Sequence, residues 1–148
     1  MPFTKGSNIG DESLTRYYVL KDGHRVEAPA ENLSYKWASG GLVSTTDDLV
    51  KFGQSVLLKM HQDKLFRDAI STPPILSSGE TSNYSFGWYV DTDANGEIVI
   101  HHPGSAPGYS SHLLIYPDKD IVIAYLANTG IGTFFSKDFA DEIVVLFN

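Results

Sequence analysis

Seven consecutive residues, Ile121-Val122-Ile123-Ala124-Tyr125-Leu126-Ala127, are apolar or aromatic without interruption. A strand turns successive side chains to opposite faces, so a run that is apolar at odd and even positions alike is buried on both. That segment excludes a sheet with one solvated face and demands a covering layer on each side. Residues 135–147 return to helical character with Asp138 in the first turn, where the helix dipole favours acid, and can supply one layer. A helix from Thr46 reaches the other face only if the sheet lies between the two helices, or if further chain supplies that layer.

That first helix has a readable start. Ser44 and Thr45 stand three residues before Asp47 and Asp48, a capping box with Asp in place of Glu or Gln. Leu49, Phe52, Val56 and Met60 then recur at spacings of three and four, which predicts one apolar stripe with Lys51, Gln54 and Lys59 facing away. A second amphipathic stretch, 63–70, with Leu65, Phe66, Ala69 and Ile70 apolar, ends at Ser71-Thr72-Pro73-Pro74 because proline cannot continue a helix.

The period then changes to two. Residues 86–90 and 98–101 flank Asn95-Gly96, and 110–116 and 121–127 flank Pro117-Asp118-Lys119-Asp120, which reads as two hairpins. Residues 1–45 are loop-rich, with a small hairpin of 17–20 and 25–27 about Asp22-Gly23. The expected fold is α+β in one domain over 1–148. An antiparallel sheet of about four to five strands in 86–127 carries a C-terminal helix, 133–147, on one face and is preceded by two helices in 46–70.

Composition removes several functions. Eleven Lys and Arg stand against 18 Asp and Glu, a net charge of −7, and the basic residues are scattered singly, so no nucleic-acid surface is expected. Hydrophobic residues at 42% are too many for a disordered chain. With no cysteine there is no disulfide, thiolate metal site or cysteine nucleophile, and the compartment stays open. No apolar run approaches the ~20 residues of a membrane span, and the first ten residues lack the basic and apolar regions of a secretory signal.

Other motifs fail on spacing. His101, His102, His112 and Asp118 match no zinc-ligand pattern, and no metal or cofactor is expected. Gly40-Gly41 precedes a helix without a phosphate-binding lysine. Gly104-Ser105-Ala106-Pro107-Gly108 misses the register of a Gly-x-Ser-x-Gly elbow, so Ser105 reads as a loop residue beside the turn dipeptide Pro107-Gly108. His101 and His102 adjoin on a strand and point to opposite faces, so at most one serves a given site. A strand-end histidine satisfied by water or backbone is the plain reading of either.

Residues 34–52, Ser-Tyr-Lys-Trp-Ala-Ser-Gly-Gly-Leu-Val-Ser-Thr-Thr-Asp-Asp-Leu-Val-Lys-Phe, resemble the glycine-pair, capped-helix segment of the serine β-lactamase-like family. That family includes class C β-lactamases, D-alanyl-D-alanine carboxypeptidases and related esterases, and residues 34–53 look most like its animal mitochondrial members. Downstream, residues 102–108, 111–117 and 121–128 resemble the family's third motif and last two strands, in order. The family's Ser-x-x-Lys nucleophile motif and its Tyr-x-Asn motif occur nowhere in the chain, which therefore looks like a C-terminal portion of such a protein.

The resemblance implies a serine hydrolase acting on a small peptide, amide or ester, with a mitochondrial setting hinted at by those relatives. His102 takes the position usually held by Lys or His. Gly104 permits close approach of substrate, and the backbone N–H of Ser105 is one oxyanion donor. Pro103 replaces the usual Thr or Ser, so a hydroxyl for the substrate carboxylate is missing, which argues against β-lactamase or carboxypeptidase specificity. Tyr35 and Trp37 are candidates to line the cleft, with packing under a loop as the plain reading. Without a nucleophile the chain is expected to be inert alone. The competing expectation is a non-catalytic structural or interaction domain that keeps the fold. In either case the 121–127 strand is expected to drive self-association, most simply as a two-fold dimer joined through its open edge or through the uncovered sheet face.

Overall fold

Local chemistry sets most element boundaries. The computed structural model describes residues 14–29, 34–36, 39–129 and 136–147. Strands β1 (Tyr18–Lys21) and β2 (His24–Glu27) form the small hairpin, turning at Asp22 and Gly23 with φ of 51° and 77°. Helix α1 (Thr46–Gln62) starts where the capping residues place it, with the Asp48 N–H donating to Thr45 Oγ1 at 3.2 Å. Helix α2 (Lys64–Ser71) is capped by Asp63, whose Oδ1 accepts from the Phe66 N–H at 3.1 Å.

The sheet is an antiparallel meander in chain order: β3 (Tyr84–Ser85), β4 (Trp88–Thr92), β5 (Ile98–Ala106), β6 (Tyr109–Tyr116) and β7 (Ile121–Ala127). Helix α3 (Lys137–Val144) follows and ends in a 3₁₀ turn, Val145–Phe147. Residues 133–135 of the expected C-terminal helix lie outside the described residues.

The doubly apolar strand is covered on both faces by helices. Ile121, Ile123 and Tyr125 join Val99, Leu114 and Tyr116 against Ala140 and Val144 of α3. Val122 faces the other way, toward a cluster of Val90, Ile100 and Ile115 closed by Leu57 and Met60 of α1 and Ile70 of α2. The sheet thus lies between α1 and α3. Tyr116 pins the α3 layer by donating its hydroxyl to Asp141 Oδ1 at 2.9 Å, and burial together with that carboxylate pushes its pKa upward.

Several expectations need correction. The buried line of α1 runs through Gly53, Leu57 and Met60, while Phe52 is 47% exposed and stacks on Trp88. Gly53 has no side chain, so α1 settles onto β7 along that row and shifts the contact line off Phe52. Leu65 is 82% exposed, because eight-residue α2 meets the core through Phe66 and Ile70 only. The strand expected at 98–101 continues to Ala106, so Ser105 is in a strand and not a loop, and the two-residue β3 was not anticipated. Among the described residues β7 pairs with β6 alone; the N-terminal hairpin reaches only its end, where the Tyr18 N–H donates to the Asn128 carbonyl at 3.0 Å.

Candidate active site

A change of partners along β5 creates the site. Pairing with β4 stops at Tyr89↔His101, whereas pairing with β6 continues through Gly104↔Ser111 to Ala106↔Tyr109. Residues 102–106 therefore have a strand on one side and, among the described residues, none on the other.

Antiparallel partners alternate between hydrogen-bonded and non-bonded pairs, and a two-residue hairpin loop is closed by a bonded pair. Counting back from the Pro107-Gly108 turn makes Ala106↔Tyr109 and Gly104↔Ser111 the bonded pairs. The N–H of Ser105 then points to the vacant side. Pro103, which has no N–H, falls at a non-bonded pair with His112 and takes nothing from the β5–β6 ladder.

A Cβ on Gly104 would lie 2.5 Å from Ser111 Oγ across the ladder, so a side chain there would make that hydroxyl turn away. The turn residue Gly108 has φ +89° and lies under Tyr17 and Ala28 of the N-terminal region, so the β1–β2 hairpin packs over the end of β5. Between them opens a groove of about 420 Å³ lined by Val19, Leu20, Ser105, Ala106 and Pro107.

The adjacent histidines separate as the alternation requires. His102 is exposed, with Nε2 3.1 Å from the Tyr84 hydroxyl and its ring 5.8 Å from those of both Tyr84 and Tyr89. His101 is 7% exposed on the opposite face. Its Nδ1 lies 2.8 Å from His112 Nε2 and its Nε2 2.9 Å from Asp91 Oδ2. Water or backbone was the expected partner of a plain strand histidine; these side chains take that place.

Tyr35 sits on a 3₁₀ turn, Ser34–Lys36, is 75% exposed with Lys36 Nζ 5.4 Å from its ring centre, and is not among the groove residues. Trp37 lies outside the described residues. Sequence reasoning passed over Tyr84. A two-residue strand is too short to show a period, and the available cue was the Phe86-Gly87 dipeptide, whose residues both take positive φ (46° and 88°) and turn Tyr84 back onto Tyr89.

Antiparallel sheet between helices, a half-vacant strand carrying His-Pro-Gly, and a capped helix after a glycine pair together define a serine-hydrolase-like fold, and the chain belongs to the β-lactamase family: the family model named beta-lactamase matches residues 2–145. It is 32% identical over 114 residues to penicillin-binding protein 4* of Bacillus subtilis (strain 168), covering 77% of this chain and 23% of that protein. It is 49% identical over 130 residues to the mitochondrial serine beta-lactamase-like protein LACTB of Mus musculus, covering 70% and 24%. The octameric penicillin-binding protein homologue from Pyrococcus abyssi superposes with a TM-score of 0.66 at 23% identity, over 93% of this chain and 31% of that one. The chain thus spans about a quarter of the length of the curated relatives it matches.

Proposed function

We propose that these residues form the third-motif portion, as one domain, of a β-lactamase-like serine hydrolase acting on an amide or ester. The half-vacant edge of β5 carries this reading. An extended substrate can lie along residues 102–106, with the Ser105 N–H directed at the oxygen that becomes negative when the carbonyl carbon is attacked. Gly104 lets the substrate backbone come close. His102 offers a ring nitrogen to a substrate oxygen from the exposed side of the same strand. The nucleophile belongs to a Ser-x-x-Lys segment, which this chain does not contain, so the chain by itself is inert. Pro103 leaves no hydroxyl at the middle position, which favours a peptide or ester without the carboxylate contact that β-lactams use.

The test is a polypeptide joining this chain to Ser-x-x-Lys and Tyr-x-Asn segments. There, His102→Ala should lower kcat/KM with little change in melting, and lost stability with unchanged specific activity would return His102 to a packing role.

A second reading rests on β7. Its outer edge pairs with no strand of the sheet among the described residues, and a groove of about 490 Å³ beside it is lined by Gln54, Val122, Ala124, Ile143 and Phe147. An apolar strand edge that no other strand covers among the described residues is suited to pair with a strand of a second copy, so the chain self-associates through this edge. The octameric assembly of the Pyrococcus abyssi relative supports that reading. A non-catalytic interaction domain would use the same edge.

A further inference from the structure

His102 is held by a residue from a different hairpin. The Tyr84 hydroxyl meets Nε2 at 3.1 Å, while Nδ1 makes no hydrogen bond among the described residues, and His102 is exposed. Tyr84 is itself fixed. Its ring stands edge-on to Tyr89 at 4.9 Å, its N–H donates to Ser82 Oγ at 3.0 Å, and the left-handed Phe86-Gly87 turn sets its pairing with Tyr89.

We infer that Tyr84 is a positioning residue that fixes the tautomer of His102, so that Nδ1 of this exposed residue always carries a proton. Between a neutral imidazole and a phenol, the nitrogen is the stronger base and the phenol the stronger acid, so the hydrogen bond runs from Tyr84 O–H to Nε2. The ring proton then resides on Nδ1. If the ring gains a second proton, Nε2–H turns round to donate to the phenol oxygen and Nδ1–H is unchanged. A substrate oxygen that reaches Nδ1, carbonyl or carboxylate, therefore meets an N–H donor whether the ring is neutral or charged. Histidine free in water prefers the proton on Nε2, so Tyr84 reverses the intrinsic preference. The neighbouring His101 gains nothing from Tyr84, because its two nitrogens are already taken by His112 and Asp91 on the other face.

This inference rests on residues 102–106 being the substrate edge only for its purpose; the tautomer is measurable without substrate or turnover. Long-range proton–nitrogen correlation spectra of the ¹⁵N-histidine chain at about pH 8.5, where an ordinary imidazole is neutral, report which nitrogen is protonated. The His102 signals are those lost in His102→Gln. The expected result is Nδ1–H for His102 in the native chain and a shift to mainly Nε2–H in Tyr84→Phe, which keeps the ring contact with Tyr89. Nε2–H in the native chain, or the same tautomer in both proteins, would overturn the inference. If Tyr84→Phe does not fold, the native spectrum alone decides. A native Nδ1–H tautomer combined with full turnover for His102→Ala in the joined polypeptide would remove the proposed catalytic role and leave the positioning intact.

Discussion

A Cβ on Gly53 would lie 2.5 Å from Cγ1 of Val122 and 3.3 Å from Cδ1 of Leu113, so helix α1 and the β6–β7 pair meet at a point where only glycine fits. Helix propensity by itself favours alanine over glycine by about 1 kcal/mol. Overpacking of a core contact costs about 1–3 kcal/mol and outweighs it. Gly53→Ala is expected to lower stability in denaturant melts, and Val122→Ala in the same chain should recover part of the loss beyond additivity. A stabilised Gly53→Ala would mean that α1 does not touch β7 here.

The start of α1 separates two neighbouring candidates. Thr45 Oγ1 accepts the Asp48 N–H, whereas the Ser44 hydroxyl donates to the Thr45 carbonyl. Thr45→Ala should cost about 0.5–2 kcal/mol, with Ser44→Ala and Lys51→Ala within about 0.5 kcal/mol. Lys51 pairs with Asp47 on an exposed surface, where such pairs contribute little. Equal losses at all three positions in urea melts would move the helix boundary.

Acid should loosen the β4–β5 turn. Burial works against the charge of Asp93, but the Glu97 and Asn95 N–H groups and Lys119 more than offset it, holding its pKa below the ordinary 3.8. A carboxylate whose pKa is lowered by folding stabilises the fold above its unfolded pKa, and that contribution is lost as pH falls through the folded value. Melting temperature should therefore drop as pH falls from 3.8 downward, and Asp93→Asn should be less stable near neutrality with a flatter acid limb. An unchanged limb would show that the turn does not depend on this charge.

How much of this was legible in the residues depended on how local the cause is. Thr45, Asp22-Gly23 and Asn95-Gly96 act within a few positions, and their elements start or turn where the sequence places them. The seven apolar residues of β7 called for a covering layer on each face because side-chain alternation is a property of the strand itself, and they left open that α1 supplies the second. Gly53, Leu65 and Tyr84 were misread or passed over for the opposite reason. The contact row of α1 is chosen by Val122, nearly 70 positions away, and Tyr84 matters only because β3 folds back beside β5. His102 and Gly104 are candidates through their motif alone; the vacancy beside them comes from where β4 ends, which no periodicity reports.

The proposed self-association through β7 has a clean probe in Leu126, which is 41% exposed. Val122 is unsuitable because it packs on Gly53. Sedimentation velocity at micromolar concentration should show dimers or larger species, and Leu126→Lys should shift them toward monomer with melting little changed. A native chain that stays monomeric at high concentration would show that its open edge is protected by other means.

The central claim is a substrate edge without a nucleophile, and covalent trapping tests it most directly. Pure chain is treated with a fluorescent penicillin and with a fluorophosphonate, reagents that mark an activated serine even when turnover is slow. The account predicts no labelled serine and no hydrolysis of a chromogenic ester above background. Stoichiometric label on Ser105 or Ser111, lost in the matching alanine variant, would contradict it and place a nucleophile on the sheet itself.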